Sequence, residues 1–491
     1  MSPAPGNGAP GARAIGSQRT VLRNIGILGI AQVATMLLNV VALVHIARTV
    51  GETWFGVLQW GVAFSSYALI VGEWGLATLA VREISRLDAP DAVRRYAGTH
   101  LGLMLALGAA VLVAGALALP LFAMYRTDPV IALGYLATVV PFALSLDWVG
   151  IGLERLGTVS VVKTLRSLLY AAAVLALLRG IDGLAGWPAP RWVPVFFWVA
   201  WLVSAMVMAW RARRWLGRSI VPRAGPFGEW RRRLVAAGPI GAGALTLRVL
   251  LNVDVILLGV LATPAAVGNY AAAAKVVFVL TIAVEVVWKA LLPRLSRAWR
   301  ESPDLCRRRF CLYLGLVMLG FLPLAVGGAL LGNDVMAMLY GDRFPEAGLV
   351  CRILSVSYVA LAIGQFFGNG LIATDRQRQS FLPVAAGAAA AVVGVVGLAP
   401  RGGGGAALGM LAAHLILMVA TTWVGRDLLV HNLVRPVLVA ALGSIALGAV
   451  LAILPAWPLL ARVALGSVLY AGIVVPLGLP WLRREARRTG L

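Results

Sequence analysis

The chain has 491 residues, of which 60% are hydrophobic and only 13% are charged, and its formal net charge is +23. Soluble domains carry roughly 25% charged residues, so this composition excludes a soluble enzyme, a disordered chain and a disulfide scaffold. Basic residues lie mainly in short segments between long apolar stretches, which indicates membrane topology rather than nucleic-acid binding. The three cysteines form no C-x-x-C pair and the four histidines are scattered singly. The sequence therefore predicts neither a metal site nor a cofactor.

About fourteen apolar segments approach the ~20 residues that an α-helix needs to cross a bilayer. Residues 1–20, rich in Gly, Pro and Ala, predict a flexible tail before the first span. An all-α polytopic membrane protein is the expected fold class. The predicted spans are 24–47, 55–80, 98–123, 129–151, 157–179, 192–212, 234–261, 267–292, 310–332, 347–373, 379–399, 404–425, 435–455 and 458–480.

The distribution of arginine predicts the orientation of these spans. With a cytoplasmic N-terminus, the inside segments hold 30 arginines and the outside segments hold 6. Arginine accumulates on the cytoplasmic side of membrane proteins, and adding or dropping one span would scramble this alternation. We therefore expect an even number of spans in the cell membrane, with both termini in the cytoplasm.

A weak internal repeat indicates two similar halves. Residues 50–56 open the second span after a tight turn, and residues 264–271 open the eighth in the same way, six spans later. An even offset gives both halves the same orientation, which predicts two pseudo-symmetric six-helix bundles with a central cavity between them. The predicted divisions are a flexible cytoplasmic tail at 1–20, an N-terminal bundle at 21–215, a basic cytoplasmic linker at 216–233, a C-terminal bundle at 234–427, and two extra helices with a basic cytoplasmic tail at 428–491.

Several short strings occur in an order and spacing that resemble a known family. They are I-A-R-T-V-G-E-T-W-F-G at 46–56, R-E-I-S-R at the end of 73–86, D-W-V-G-I-G-L-E-R at 147–155, V-G-N-Y-A-A-A-A-K at the start of 267–297, the segment 340–378, and L-A-P-R-G-G-G-G-A-A at 398–407. Over about residues 20–425 the chain resembles the oligosaccharide (polysaccharide/O-antigen) flippases of the multidrug/oligosaccharidyl-lipid/polysaccharide exporter (MOP) superfamily.

This resemblance implies a transporter and not an enzyme. Its expected cargo is an oligosaccharide on polyprenyl diphosphate, flipped across the cytoplasmic membrane by alternating access for polysaccharide biosynthesis. A polysaccharide polymerase or glycosyltransferase would be its functional neighbour.

Two alternatives remain open. A cation-coupled multidrug antiporter of the same superfamily is disfavoured because the first span contains no Asp or Glu. A membrane glycosyltransferase or polysaccharide polymerase is disfavoured because the predicted outside loops are short.

A diphosphate and sugar hydroxyls can cross hydrocarbon only through a hydrated, cation-lined cavity, and charged residues within spans usually face such an interior. Arg248 lies near the middle of the seventh predicted span, with Asn252 one turn further on the same face. Lys163 and Arg166 share a face of the fifth span, and Lys275 lies two turns inside the eighth. We predict that these five residues line the cavity. A structural ion pair with an acid, or snorkelling to an interface, is the alternative role for each cation.

The remaining candidates concern the outer mouth and ion coupling. Arg48 ends the first span beside the outer turn, where it would either guard the cavity or bind lipid headgroups. The membrane acids Asp254, Glu73 and Glu285 are candidate sites for a coupling proton or sodium ion, and charge balance of a nearby cation is the alternative. Asp254 ranks first because it shares a span with Arg248. The arginine-rich segment 211–233 predicts contact with anionic membrane lipids.

Overall fold

The computed structural model describes residues 18–429, 433–454 and 457–489, with side chains described except at 18–34, 37, 279–287 and 289–290. The described part of the chain is 89% helical and contains no strand. Eleven helical stretches in the described part are long and apolar enough to cross a membrane. The helices are α1 Gln18–Glu73, α2 Leu76–Ile84, α3 Pro90–Ala118, α4 Ala123–Thr127, α5 Pro129–Leu136, α6 Val139–Ala143, α7 Asp147–Gly152, α8 Leu156–Leu177, α9 Trp192–Leu216, α10 Phe227–Leu261, α11 Pro264–Glu301, α12 Pro303–Tyr340, α13 Ala347–Ala373, α14 Gln377–Leu398, α15 Gly402–Val424, α16 Val434–Ile453 and α17 Leu459–Thr489.

Helix α1 is two antiparallel arms joined at Gly51. Gly51 has φ 78° and ψ 175°, which interrupts the helix and which a residue with a side chain rarely adopts. Thr35 lines one cavity and Glu73 lines another, and Lys163 and Arg166 line both of them. In one straight helix Thr35 and Glu73 would lie roughly 57 Å apart. The chain therefore turns back at Gly51, and α1 supplies the first two predicted spans.

The other helices follow the predicted order of spans. Helices α4 to α7 form a broken segment that occupies the fourth predicted span, and α2 continues the second span beyond Gly75, whose φ is 75°. Each of the remaining helices from α8 onward corresponds to one predicted span. The predicted all-α polytopic fold with about fourteen spans is confirmed. The exact domain limits remain a prediction.

The largest hydrophobic cluster joins the two halves of the chain. Phe55 of α1 packs edge-on against Phe344, with ring centroids 5.6 Å apart. Trp60 of α1 is fully buried and stacks on Phe64 at 5.3 Å. Its indole also lies against Gly259 of α10, where a Cβ atom would approach Trp60 Cδ1 to 2.2 Å. The second arm of α1 thus packs directly on the second half of the chain.

The last two helices attach to α12 and not to the cavity described below. Arg462 of α17 is buried, and its Nη2 donates to Asp334 Oδ2 at 2.8 Å. The Tyr470 hydroxyl of α17 donates to the Leu319 carbonyl at 2.5 Å. These contacts fix α17, and with it α16, along the side of α12.

Trp60 gives a test of this packing. Trp60→Ala should lower the free energy of unfolding by about 3–5 kcal/mol because it leaves a cavity where the two halves meet. Unfolding in mixed micelles of increasing denaturing strength measures the loss. The matched control is Trp457→Ala, since the Trp457 side chain is 50% exposed. Equal losses in the two variants would contradict the assignment of Trp60 to the core.

Candidate functional site

A cavity of about 490 Å³ lies between the second arm of α1 and helices α10, α11 and α13; we call it the central cavity. Its α10 wall carries Arg248, Asn252 and Asp254, and its α11 wall carries Lys275. Four residues that were predicted separately from two spans therefore face one space. Further polar groups come from Gln59 and Ser66 of α1 and Tyr358 of α13.

The spacing of residues along α10 explains why this wall is polar. Ala244, Arg248, Leu251 and Asn252 recur at intervals of three and four, so they share one helical face. Small residues on the same face leave the space that the long arginine side chain occupies. Within the described residues, the side chains of Arg248 and Lys275 form no hydrogen bond or ion pair with a neighbouring side chain.

Asp254 is held rigidly at the edge of this cavity. It is only 4% exposed. The Tyr270 hydroxyl of α11 donates to its Oδ2, and the Val255 amide donates to its Oδ1 at 2.8 Å. The bond from Tyr270 connects α11 to α10, and the Asp254 carboxylate lies in the same cavity as the cations Arg248 and Lys275. The Tyr67 hydroxyl also donates to the Arg248 carbonyl at 3.2 Å, which ties α1 to α10.

Lys163 and Arg166 lie in a different place. They line two adjoining cavities of about 410 and 440 Å³ inside the first half of the chain; we call these the N-terminal chamber. The Arg166 guanidinium lies 3.6 Å over the centroid of the Trp201 ring, a cation–π contact. Glu73 and Asp147 line the second of the two cavities. The structure thus separates this group from the cations of the central cavity.

Arg48 lines neither space. Its Nε donates to the Leu339 carbonyl at 2.5 Å, and its Nη2 donates to the Met338 carbonyl at 2.6 Å. In return, Arg343 Nη1 donates to the Arg48 carbonyl at 2.7 Å. Arg48 therefore connects the first half of the chain to the end of α12, at the end of the bundle predicted to face outward.

The two repeated turns pack on each other at this same end. A Cβ atom on Gly56 would lie 1.9 Å from the Pro264 carbonyl oxygen, and one on Gly268 would lie 1.9 Å from the Glu52 carbonyl oxygen. The Asn269 side-chain amide donates to the Glu52 carboxylate. Together with the bonds of Arg48, these form a set of contacts at the predicted outer end, which we call the outer contact. The internal repeat at 50–56 and 264–271 was the signal in the sequence, but it did not say that the two copies would touch.

A second set of contacts lies at the opposite end, and we call it the inner clasp. It joins helix α3 to the basic linker and to the start of α10. The Arg223 amide donates to the Gly98 carbonyl at 2.9 Å. Arg233 Nη1 lies 3.2 Å from His100 Nδ1, and His100 Nε2 lies 3.1 Å from the Leu76 carbonyl. This geometry suits a donating Arg233 and a neutral His100 with its proton on Nε2. Part of the segment predicted to touch lipid is therefore bound to protein.

Two further predictions concern ions: Glu285 as a candidate coupling site, and no metal site. The side chain of Glu285 lies outside the described residues. Among the residues that the structure describes, no group of three or more His, Cys, Asp or Glu side chains is close enough to hold a metal ion. The three cysteines are buried, and Cys311 Sγ donates to the Leu428 carbonyl at 3.5 Å.

Two bundles around a central, cation-lined cavity define a membrane transporter, and comparison with solved structures identifies the fold. A structure titled "Lipid II flippase MurJ, inward closed conformation" aligns with TM-score 0.74 at 10% identity, over 91% of this chain and 98% of that one. An inward-facing multidrug resistance MATE family transporter of the MOP superfamily aligns with TM-score 0.58 at 13% identity, over 80% and 94%. A mutant of the Vibrio cholerae MATE transporter VcmN aligns with TM-score 0.50 at 17% identity, over 83% and 98%. The fold is therefore that of the MOP superfamily.

The family follows from the sequence match. The model of the polysaccharide biosynthesis protein family matches residues 21–299. This is more than half of the chain, which therefore belongs to that family. None of the curated proteins matches the sequence.

Gly268 gives a test of the outer contact. Gly268→Ala should force the two repeated turns apart, since its methyl group would lie 1.9 Å from the Glu52 carbonyl oxygen. A cysteine in the central cavity, introduced as Ser66→Cys, should then react several-fold faster with an impermeant maleimide added to intact cells. The control is Gly320→Ala, whose methyl group would meet no atom within 4 Å. An unchanged rate in a correctly folded Gly268→Ala protein would contradict closure at this contact.

Proposed function

We propose that the protein flips an oligosaccharide linked to polyprenyl diphosphate from the inner to the outer leaflet of the cell membrane. The observation that carries this proposal is the central cavity, where Arg248 and Lys275 stand without a bonded partner among the described side chains. Membership of the polysaccharide biosynthesis family supports a glycan cargo. The similar structure of MurJ, whose title names a lipid II flippase, supports a lipid-linked one.

The chemistry of the cavity suits a diphosphate. The guanidinium of Arg248 can donate two parallel hydrogen bonds to phosphate oxygens, while the ammonium of Lys275 acts as a compact point charge. Asn252, Gln59 and Ser66 offer donors and acceptors to sugar hydroxyls. Between transport cycles Asp254 partly balances the two cations, so the empty cavity does not hold an isolated positive charge in the membrane.

The two sets of contacts at opposite ends support a mechanism of alternating access. The outer contact closes one end of the central cavity through Arg48, Gly56 and Gly268. Release to the outer leaflet requires this contact to open while the inner clasp stays closed. The contacts of Arg48 consist of a few hydrogen bonds to carbonyls and not of a buried ion pair, so solvent can replace them at modest cost.

The N-terminal chamber provides a second set of cargo contacts in this proposal. Lys163 and Arg166 face Asn39 and Tyr170 there, beside the indole of Trp201. Cations, hydroxyls and an aromatic ring suit the glycan part of the cargo, whereas the central cavity suits the diphosphate. We further propose that both termini face the cytoplasm, where the basic ends of the chain meet anionic lipid.

Substitution of the cavity cations tests the proposal. Arg248→Ala and Lys275→Ala should each slow transfer of a fluorescent polyprenyl-diphosphate oligosaccharide in proteoliposomes at least tenfold, because a charge-assisted contact to the diphosphate is lost. Arg126→Ala, an exposed arginine of the predicted outer side, should leave the rate unchanged.

Two outcomes would contradict the flippase. One is equal slowing by Arg126→Ala, which would indicate a general effect of charge. The other is wild-type protein that transfers no lipid-linked sugar but exports cationic dyes against a proton or sodium gradient, which would favour the multidrug antiporter.

We propose Asp254 as the site of the coupling cation. It lies in the same cavity as Arg248 and Lys275, and it alone among the predicted acids with described side chains does so. Glu73 lies in the N-terminal chamber instead. Proton or sodium binding at Asp254 would change the charge next to the cargo and so link the ion to transport.

The matched pair of variants is Asp254→Asn and Glu73→Gln. Asp254→Asn should abolish the response of the transfer rate to an imposed proton or sodium gradient, while Glu73→Gln should retain it. The measurement is the ratio of transfer rates with and without the gradient in proteoliposomes. Retention of the full response by Asp254→Asn would rule out this coupling role.

A further inference from the structure

A separate cavity of about 420 Å³ lies between the start of α16 and the end of α17, at the end of the bundle predicted to face the cytoplasm. Arg435 and Leu438 line it from α16, and Trp481, Arg484 and Arg488 line it from α17. None of these residues lines the central cavity or the N-terminal chamber. The sequence assigned these arginines only to topology, and the structure brings arginines from two separate helices around one space.

The cavity is cationic. Arg484 and Arg488 are one turn apart on the same face of α17 and lie opposite Arg435. Glu485 is buried in the same wall, and it accepts a hydrogen bond from Arg488 Nη1 at 3.1 Å. Within the described part of the chain, Arg435 and Arg484 form no ion pair. The first turn of α16 adds the partial positive charge of a helix N-terminus.

Trp481 supplies an independent observation. Its side chain is only 6% exposed, yet its Nε1 has no hydrogen-bond partner among the described atoms. A buried indole N–H without an acceptor is unfavourable. The Trp481 side chain lines the cavity between the two arginine-bearing helices and gives it an aromatic wall.

The cavity lies beside exposed apolar side chains of α16. Val434 and Leu438, which also line it, are 66% and 55% exposed. Leu442 and Ile445 continue the same apolar strip along α16 and are 55% and 68% exposed. A ligand here would therefore have a charged end among arginines at the interface and an apolar end along α16.

We propose that this cavity binds the phosphate-bearing headgroup of an anionic bilayer lipid in the inner leaflet, with the acyl chains along α16. Basic pockets between membrane helices on the cytoplasmic side bind such headgroups. Bidentate arginine contacts suit phosphate oxygens, and each arginine near the surface contributes substantially to the attraction. The bound lipid would attach α16 and α17 to the membrane surface, independently of cargo transfer in the central cavity.

The experiment compares two double variants of the full-length chain. Arg435→Gln with Arg484→Gln removes the two unpaired charges of the cavity. Arg483→Gln with Arg487→Gln removes the same charge from exposed residues of α17 that do not line it. Native mass spectrometry of purified protein titrated with cardiolipin gives the apparent Kd. The cavity variant should bind about 30-fold more weakly than wild type, and the control should stay within about twofold.

Further arms identify the ligand and separate folding from binding. Phosphatidylcholine should bind weakly to all proteins, and inorganic diphosphate at millimolar concentration should not displace cardiolipin. Arg435→Lys with Arg484→Lys should restore most of the affinity if charge and not packing is responsible. Equal weakening in both glutamine variants would overturn the proposal in favour of general surface charge. Binding of inorganic diphosphate as tight as that of cardiolipin would overturn it in favour of a free-phosphate site. Because the translocation variants lie in other helices, either proposal can fail without the other.

Discussion

A cation in the hydrocarbon core of a bilayer costs at least about 2.5 kcal/mol, and this penalty governs the arrangement of the whole chain. Most arginines lie in the short segments between spans. Three cations of the predicted spans line cavities within the protein: Arg248 and Lys275 face the central cavity, and Arg166 lies against Trp201 in the N-terminal chamber. In the proposed function this cost is offset, because a diphosphate cargo would need the same charges.

The internal repeat places two similar turns in contact at one end of the molecule. Each copy contributes a tight turn followed by a helix, and the two turns meet so closely that Gly56 and Gly268 lie directly against the backbone of the other turn. Small residues permit close helix approach where no hydrophobic driving force operates between spans. Arg48 and Arg343 add reciprocal hydrogen bonds to carbonyls. Beside these contacts, the buried rings of Phe55 and Phe344 also pack between the two halves of the chain.

The sequence could place some candidate residues on one helix face because helical spacing is local. Arg248 and Asn252 are four residues apart, so they had to share a face of α10. The sequence could not show which residues far apart in the chain lie close together. Arg166 resembles Arg248 in type and depth, yet it lies in another chamber. Arg48 donates hydrogen bonds to carbonyls of α12, about 290 residues further along the chain. Every residue has a backbone carbonyl, so the sequence does not indicate which carbonyl accepts such a bond.

The sequence by itself determined the membrane class and the approximate number of spans, since hydropathy acts on each segment independently of the rest of the fold. Only the tertiary structure decided which in-span charges share a space, because that depends on how helices far apart in the chain pack and rotate. It also decided that Asp254 is bonded to Tyr270 and that arginines of α16 and α17 surround one cavity. Contacts between helices depend on how their side chains pack in three dimensions. The periodicity of a single helix shows only which of its residues share one face.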